Sequence, residues 1–154
     1  MEFQRRRAFI YNNSVISSLD KQIGKSPHRN TGSTCLSLIF TGKKVKIIHL
    51  GDSRAIIVNK NGSFKKLVEE HKPEREDEMK RIQSLGGWII PVQNIMRVQG
   101  TLSVSRSIGD FNLKPFISCV PDTRDLDLEK DNKWVVMATD GFWNVILSYS
   151  GNFK

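Results

Sequence analysis

The alternation of apolar and polar positions predicts a helix and then a run of short strands in the first half of the chain. Apolar residues recur at helical spacing over residues 14–23, and Ser14 is a suitable helix cap. Residues 24–32 have loop composition, and His28 within them is expected to be solvated. Four strands are predicted next, over residues 34–40, 45–50, 54–59 and 63–68. The turns between them are short, so we expect an antiparallel meander.

The second half of the chain predicts a helix, an irregular region and one strongly apolar strand. The helix begins at Pro73, which suits the first helical position, and ends at Gly86 and Gly87. Residues 88–97 are typical of a short strand and loop, and residues 113–132 are mostly irregular. Residues 134–139 are apolar, β-branched or small without interruption, which predicts a strand buried on both faces.

Asp140 and Gly141 directly follow this strand, in a position suited to metal binding. A carboxylate at the end of a buried strand has a rigid support, and the glycine lets a ligand approach the backbone. Hard cations such as Mg²⁺ and Mn²⁺ prefer oxygen ligands of this kind. The alternative is a simple turn, because Asp-Gly is a favoured turn dipeptide. The pair alone leaves both interpretations open.

Length and composition indicate one globular domain. The chain has 154 residues, of which 38% are hydrophobic and 26% charged, and it holds no apolar run long enough to span a membrane. The amino terminus lacks the apolar core of a signal peptide, and Cys35 and Cys119 match no metal or disulfide pattern, so an intracellular location is expected. The net charge of +8 favours anionic partners, but it is spread over short clusters, and we expect neither nucleic-acid nor membrane partners.

A series of short motifs occurs along the chain in a specific order. The motifs are Gly32-Ser33-Thr34, Gly51-Asp52-Ser53-Arg54-Ala55, His71-Lys72-Pro73, Arg81-Ile82, Gly86-Gly87, the sequence RVQGTLSVSRSIGD over residues 97–110, Lys114, Pro121 and Asp140-Gly141-Phe142-Trp143. Each motif is weak alone, but the ordered set is specific. Over residues 14–145 the chain resembles the metal-dependent serine/threonine protein phosphatases of the PPM, or type-2C, class.

The resemblance implies a fold, a reaction and a cofactor. The fold would be α+β, a β-sandwich of two antiparallel sheets flanked by helices. The reaction would be the hydrolysis of phosphoserine and phosphothreonine by a water that two Mg²⁺ or Mn²⁺ ions activate. The expected partners are phosphorylated protein substrates, and the expected location is cytoplasmic or nuclear. The resemblance names no particular substrate, pathway or oligomeric state.

The resemblance also assigns roles to individual residues. Asp140 corresponds to the metal-binding aspartate after the buried strand. Asp52 corresponds to the aspartate of the Gly-Asp-Ser-Arg turn, which helps to hold a third metal in some members; a purely structural turn role stays open for it. Residues 71–97 correspond to the flap that influences substrate binding. Arg106 and Asp110 are expected to be architectural, in a buried ion pair or a turn cap.

Several parts of the family pattern have no counterpart in this sequence. These are the phosphate-binding arginine, one acidic metal ligand, the Asp-Gly-His-Gly-Gly motif and the late Asp-Asn motif, and Asn144 stands where many members have aspartate. An amide oxygen can bind a cation but cannot neutralise it. We therefore expect an incomplete sandwich over residues 14–147, between a disordered start at 1–13 and an unmatched tail at 148–154.

Three functional hypotheses follow. The first is a metal-dependent protein serine/threonine phosphatase, of which the chain would be a truncated form. The second is a non-catalytic, pseudophosphatase-like module that binds a partner through an exposed sheet. The third is an inactive fragment. No catalytic or substrate-binding residue is assigned from the sequence.

Overall fold

The computed structural model describes residues 14–150, so the expectations for residues 1–13 and for the end of the tail lie outside the described part. Helix α1 covers residues 14–24, as predicted. The strands that follow are β1 (Gly32–Ser33), β2 (Cys35–Thr41), β3 (Lys44–Leu50), β4 (Arg54–Asn59) and β5 (Phe64–Lys66). The second half holds α2 (Glu76–Ser84), β6 (Ile89–Val92), β7 (Ile95–Val98), β8 (Ile108–Gly109), a 3₁₀ turn (Phe111–Leu113), β9 (Asp122–Asp127), β10 (Asn132–Ala138) and α3 (Asp140–Ser150).

Two antiparallel sheets form the body of the described chain. Their strand orders are β2-β3-β9 and β10-β4-β5. The sheets enclose a core to which β3 contributes Val45 and Ile47 and β4 contributes Ala55 and Ile57. The α+β sandwich expected from the sequence is therefore confirmed, with sheets that are not closed.

Helices cover the outer faces of the sheets. Ile16 of α1 packs with Ile48 and Leu50 on the outer side of β3. Trp143 of α3 is buried, and its Nε1–H donates a hydrogen bond to the Ala138 carbonyl at the end of β10, at 2.9 Å. The second half of β3 is packed on both faces, so Ile47, Ile48 and Leu50 are all buried, whereas the strand begins with Lys44 and Lys46.

The predicted meander is wrong, because β3 and β4 belong to different sheets. Strand β3 pairs with β2 on one side and β9 on the other, which leaves no edge for β4. Residues 51–53 therefore carry the chain from one sheet to the other, and we call this segment the crossing turn. The φ angle of Gly51 is +101°, a backbone conformation that other residues rarely adopt. A turn signal shows where a strand ends, but it does not show which sheet the next strand joins.

Strand β9 lies inside the region that the sequence predicts to be irregular. Its residues are mostly charged, and only Leu126 packs against the core. Its backbone pairs with β3, and the side chains of Lys46 and Asp125 form an ion pair across the two strands at 2.7 Å. An edge strand tolerates this composition, since solvent reaches its outer side and charges discourage further pairing. The prediction failed because β9 lacks apolar alternation.

Strand β10 occupies the position predicted for the apolar strand, but it is not buried on both faces. Trp134 is 61% exposed and Met137 is 46% exposed. Among the described residues β10 pairs only with β4, so it is an edge strand of its sheet. Strand β10 therefore has more apolar side chains than the described structure buries.

The segment after β5 forms a small layer of its own beside the sandwich. Helix α2 begins at Glu76 and not at Pro73, because the N-cap Arg75 has extended backbone. Strands β6 and β7 form a hairpin where one strand and a loop were expected. A separate core of Ile82, Val98, Leu113 and Ile117 joins α2 and the hairpin to the segment that precedes β9.

The crossing turn predicts an unusually strict requirement for glycine at position 51. A Cβ atom at this position would lie 2.3 Å from Thr34 Cγ2, whereas a Cβ at Gly42 would meet nothing within 4 Å, although Gly42 also has a positive φ of +59°. We expect Gly51→Ala to lower the free energy of unfolding by about 3 kcal/mol, and Gly42→Ala by only about 1 kcal/mol. Urea unfolding of both variants measures the difference, and equal losses would contradict the proposed clash.

Candidate functional site

A cleft lined with hydroxyl groups lies where the two sheets meet. The cleft has a volume of about 270 Å³. Its polar lining consists of Ser33, Thr34, Ser53 and Thr139, which come from three separate stretches of chain. Thr34 Oγ1 and Ser53 Oγ are 3.0 Å apart and share a hydrogen bond. The cleft therefore lies beside the crossing turn and the carboxyl end of β10.

Both aspartates predicted to bind metal adjoin this cleft in the sequence. Asp140 directly follows the lining residue Thr139, and Asp52 directly precedes Ser53. Residues about 90 positions apart in the chain are thus brought to one region. The expectation that Asp140 follows a strand on a rigid support agrees with this geometry; its metal-binding role stays a prediction.

Asp140 is the first residue of α3 and is exposed. Its Oδ1 accepts a hydrogen bond from the Gly141 N–H at 2.9 Å, and the space beside Gly141 is open. Asp140 and Gly141 form the first turn of α3 and not an isolated turn, and a purely structural role at the helix start stays open for Asp140. Asn144 lies one helical turn further on and is also exposed, so positions 140 and 144 share one face of α3.

Asp52 is buried and already has a cationic partner. The Lys72 Nζ lies 2.5 Å from Asp52 Oδ2. Lys72 belongs to the His71-Lys72-Pro73 motif, so the structure joins two motifs that the sequence shows 20 positions apart. A metal ion at Asp52 would have to compete with this ammonium group. The ion pair accounts for a structural role of Asp52, and its metal role stays a prediction.

The described residues do not form a complete metal site by themselves. No group of three or more histidine, cysteine, aspartate or glutamate side chains within residues 14–150 is arranged to hold an ion. The cleft offers hydroxyl oxygens, and Asp140 follows its lining residue Thr139 in the chain, but hydroxyl groups cannot neutralise a divalent charge. The donor set found here therefore does not fit a centre of two divalent cations.

The flap is fixed to the sandwich through Glu78, a residue that the sequence analysis missed. Glu78 is only 1% exposed, and both of its carboxylate oxygens accept hydrogen bonds from arginine. Arg106 Nη2 lies 2.6 Å from one oxygen, and Arg81 Nη2 lies 2.9 Å from the other. Arg106 also donates to Asp122 Oδ1 at 2.8 Å. The prediction of a buried ion pair at Arg106 is confirmed, and its partner on α2 is now identified.

Asp110 is architectural, as expected, but its side chain makes no cap hydrogen bond to the 3₁₀ turn and no ion pair with the described residues. Its φ angle is +50°, and it precedes the 3₁₀ turn. Its Oδ2 accepts a hydrogen bond from the Ser107 hydroxyl, and its carboxylate fills the space where a side chain at Gly32 would lie. A second buried carboxylate, Asp20 of α1, binds the Lys114 ammonium at 2.9 Å. Apolar periodicity gives no signal for contacts of this kind.

Two buried histidines stack between the crossing turn and β9. The ring centroids of His49 and His71 are 4.8 Å apart, and the rings are tilted by 25°. His71 Nδ1 accepts the Gly51 N–H at 3.1 Å, which leaves Nε2 to carry the proton. Nε2 lies 3.1 Å from Asp122 Oδ2, but not in hydrogen-bonding geometry. Burial and the positive charge of Arg106 lower the pKa of His71. Burial, together with the charge of His71, lowers the pKa of His49 to about 4.

Comparison with known proteins shows which family has this architecture. Residues 5–149 match the model of the protein phosphatase 2C family. Probable protein phosphatase 2C 14 of Arabidopsis thaliana is 41% identical over 116 residues, which are 75% of this chain and 26% of that protein. Protein phosphatase 1F of Rattus norvegicus is 39% identical over 125 residues, 81% of this chain and 27% of that protein.

Solved structures agree with the sequence matches. A serine-threonine phosphatase 2C from Toxoplasma gondii superposes with a TM-score of 0.75 at 26% identity, over 87% of this chain and 49% of that one. A sex-determining protein of C. elegans gives a TM-score of 0.80 at 28% identity, over 86% of this chain and 34% of that one.

The chain therefore belongs to the protein phosphatase 2C family, whose members are protein serine/threonine phosphatases that generally depend on Mg²⁺ or Mn²⁺. It spans between about a quarter and a third of the length of the curated relatives it matches. No helix within residues 14–150 is long and apolar enough to cross a membrane.

The Glu78 ion-pair network predicts a large stability loss when its charge is removed. We expect Glu78→Gln to lower the free energy of unfolding by about 3–5 kcal/mol, because two arginines would lose a buried partner. Glu76→Gln is the matched control, since Glu76 is exposed and, among the described residues, pairs only with Lys80 on the same helix. Its expected cost is below about 0.5 kcal/mol. Similar losses in the two variants would contradict the network.

The same residue predicts a defined acid sensitivity. Burial alone would raise the pKa of Glu78, but the hydrogen bonds from Arg106 and Arg81 outweigh it and lower the pKa from 4.5 to about 2. A pKa lowered by folding contributes stability that is present above the unfolded value and is lost as the pH falls through the folded value. The free energy of unfolding of the parent chain should therefore decrease as the pH falls from 4.5 to 2, and it should decrease less in Glu78→Gln.

Proposed function

We propose that the chain functions in a metal-dependent protein serine/threonine phosphatase that hydrolyses phosphoserine and phosphothreonine in phosphorylated proteins. The observation that carries the proposal is the position of Asp140, an exposed carboxylate that directly follows β10 beside the cleft, in a chain of the protein phosphatase 2C family. The bound metal would supply an activated water and would offset phosphate charge.

The chain's own residues supply the support for that chemistry. The hydrogen bond of Trp143 to the Ala138 carbonyl fixes the start of α3 against β10, and so holds the Asp140 backbone in place. The open space beside Gly141 leaves room for a cation and its waters. The Glu78 network holds the flap against β9, an edge strand of the sandwich. Further carboxylates are required beyond Asp140, because one charge cannot offset a divalent ion.

A specific observation favours a second candidate, a non-catalytic module that binds a protein partner. Within residues 14–150, the outer edges of β2 and β10 are unpaired. Phe40 on β2 is 54% exposed and Trp134 on β10 is 61% exposed. Exposed apolar strand edges are common sites of pairing with another polypeptide. Turnover measurements separate this candidate from the phosphatase.

The role of Asp140 predicts the metal affinity of three variants. Asp140→Asn should weaken Mn²⁺ binding by about tenfold, because the amide cannot neutralise the ion. Asn144→Asp should strengthen it, since it adds a carboxylate on the same face of α3. Asp131→Asn is the control, as Asp131 is exposed and lies at the other end of β10. Titration calorimetry gives the three affinities, and unchanged binding in Asp140→Asn would remove Asp140 from the site.

The phosphatase proposal is tested by measuring Mn²⁺-dependent release of phosphate from a phosphothreonine peptide by the 154-residue chain, where turnover requires that further carboxylates complete the site, for example by self-association. Asp140→Ala should abolish this turnover, and Asp131→Ala should retain it. A malachite-green assay measures the released phosphate, and circular dichroism establishes that each variant is folded. A folded parent chain without turnover would reject the phosphatase proposal for these residues and favour the interaction module.

A further inference from the structure

A second cavity lies on the side of the sandwich opposite to the candidate site. It has a volume of about 440 Å³, and it is bordered by the edge strands β9 and β5. The cleft near Asp140, in contrast, adjoins β2 and β10, the edge strands of the other side. Sites for small organic ligands commonly have volumes of about 300–1,000 Å³. The cavity is therefore large enough for a small molecule and separate from the phosphatase chemistry.

The interior of this cavity combines apolar walls with one unsatisfied polar ring. Ile47, Leu67 and Val68 line it, together with His49. His49 is 2% exposed. The backbone of Ser53 lies near its ring, but neither ring nitrogen has a well-aligned hydrogen bond to the described residues. Buried polar groups almost always have a partner, so an imidazole without a well-aligned protein partner has hydrogen-bonding capacity left for a ligand. A neutral imidazole offers one donor and one acceptor.

The lining of the cavity also carries positive charge. Arg124 lies opposite Ile47 in the β3–β9 ladder, which places its side chain on the inner face of the sheet, and Lys66 lines the cavity from β5. Neither forms an ion pair among the described residues. Two carboxylates are also present. Asp122 is already bound to Arg106 at 2.8 Å, which leaves Glu69 as the remaining negative charge against two cations.

We propose that this cavity binds a small organic acid with an apolar body, whose carboxylate lies near Arg124 and Lys66 and whose hydroxyl group, at the far end, hydrogen-bonds to His49. Each part of such a ligand matches a part of the lining: the carboxylate matches the cations, the apolar body matches Ile47 and Leu67, and the hydroxyl satisfies the imidazole. Burial keeps His49 neutral near pH 7, so it can either donate to or accept from a hydroxyl.

Three related probes test the proposal on the unaltered chain. Calorimetry with 3-(4-hydroxyphenyl)propanoate should give one-to-one binding. Its analogue 3-phenylpropanoate lacks the hydroxyl and should bind about tenfold more weakly, because His49 would stay unpaired in a desolvated site. Tyramine keeps the phenol but carries an ammonium group in place of the carboxylate, and it should not bind.

Two double variants test the charges. Lys66→Met with Arg124→Met should weaken binding of the hydroxyphenyl acid by about tenfold or more, because two charge-assisted contacts are lost. Lys43→Met with Lys130→Met makes the same change in net charge at exposed positions that do not line the cavity, and it should leave the affinity unchanged. All four positions are exposed, so folding is expected to be retained.

Several outcomes would overturn the proposal. Equal binding of the two acids would remove His49 from recognition, and equal weakening by both double variants would indicate attraction to net charge only. Absence of binding by every probe would mean that the cavity holds solvent. The titrations use neither metal nor phosphopeptide, so absence of ligand binding would leave the phosphatase proposal intact. Absence of phosphatase activity would likewise leave the ligand proposal intact.

Discussion

The hydrogen bonds between Gly51 and His71 hold the structure together at the point where the chain passes from one sheet to the other. The Gly51 N–H donates to His71 Nδ1 at 3.1 Å, and the Gly51 carbonyl accepts from the His71 backbone N–H at 2.9 Å. Thr34 and Ser53 are joined on one side of this turn, and Asp52 and Lys72 on the other. Glycine at position 51 allows these contacts to form together. It adopts the positive φ that the turn requires, and it has no Cβ that would collide with Thr34. The separation of the sheets, the burial of Asp52 and the hydroxyl-lined cleft all follow from the same short turn.

The flap depends on a different physical principle, the pairing of buried charges. Glu78 would be costly to bury alone, but two arginines surround it, and Arg106 extends the network to Asp122 on β9. Such a network has little tolerance for the loss of one member, since each charge left behind would be buried without a partner. It therefore joins α2 to the sandwich in a defined orientation, which a purely apolar contact would not specify as strictly. The carbonyls of Phe116 and Ser105 also accept from Arg81, so the same side chain orders the loop before β9.

The sequence predicted those parts of the fold that have a local signal. The pattern of apolar positions located β3 and β4, an uninterrupted apolar run located β10, and the Asp140-Gly141 pair located the end of β10 beside the cleft. Strand β9 has no such signal, because backbone pairing and cross-strand charges hold it. The sheet to which β4 belongs also could not be predicted, since a turn shows where a strand ends but not which strand the next one pairs with. Lys72 with Asp52, and Glu78 with Arg106, are separated by 20 and 28 positions, so only the folded chain shows that they meet.

The two open sides of the sandwich differ in a way that bears on function. Strands β5 and β9 border one side with charged residues such as Lys66, Arg124 and Asp125, which water solvates and which discourage pairing. Strands β2 and β10 border the other side with exposed apolar residues, Phe40, Trp134 and Met137 among them. The cavity beside β5 and β9 is lined by apolar residues inside and by charged residues at its open side. The cleft beside Asp140 adjoins edges that are chemically suited to further pairing, and it holds fewer carboxylates than two divalent ions need. Among the described residues, the incomplete ligand set and the uncovered apolar edges are thus found on the same side of the molecule.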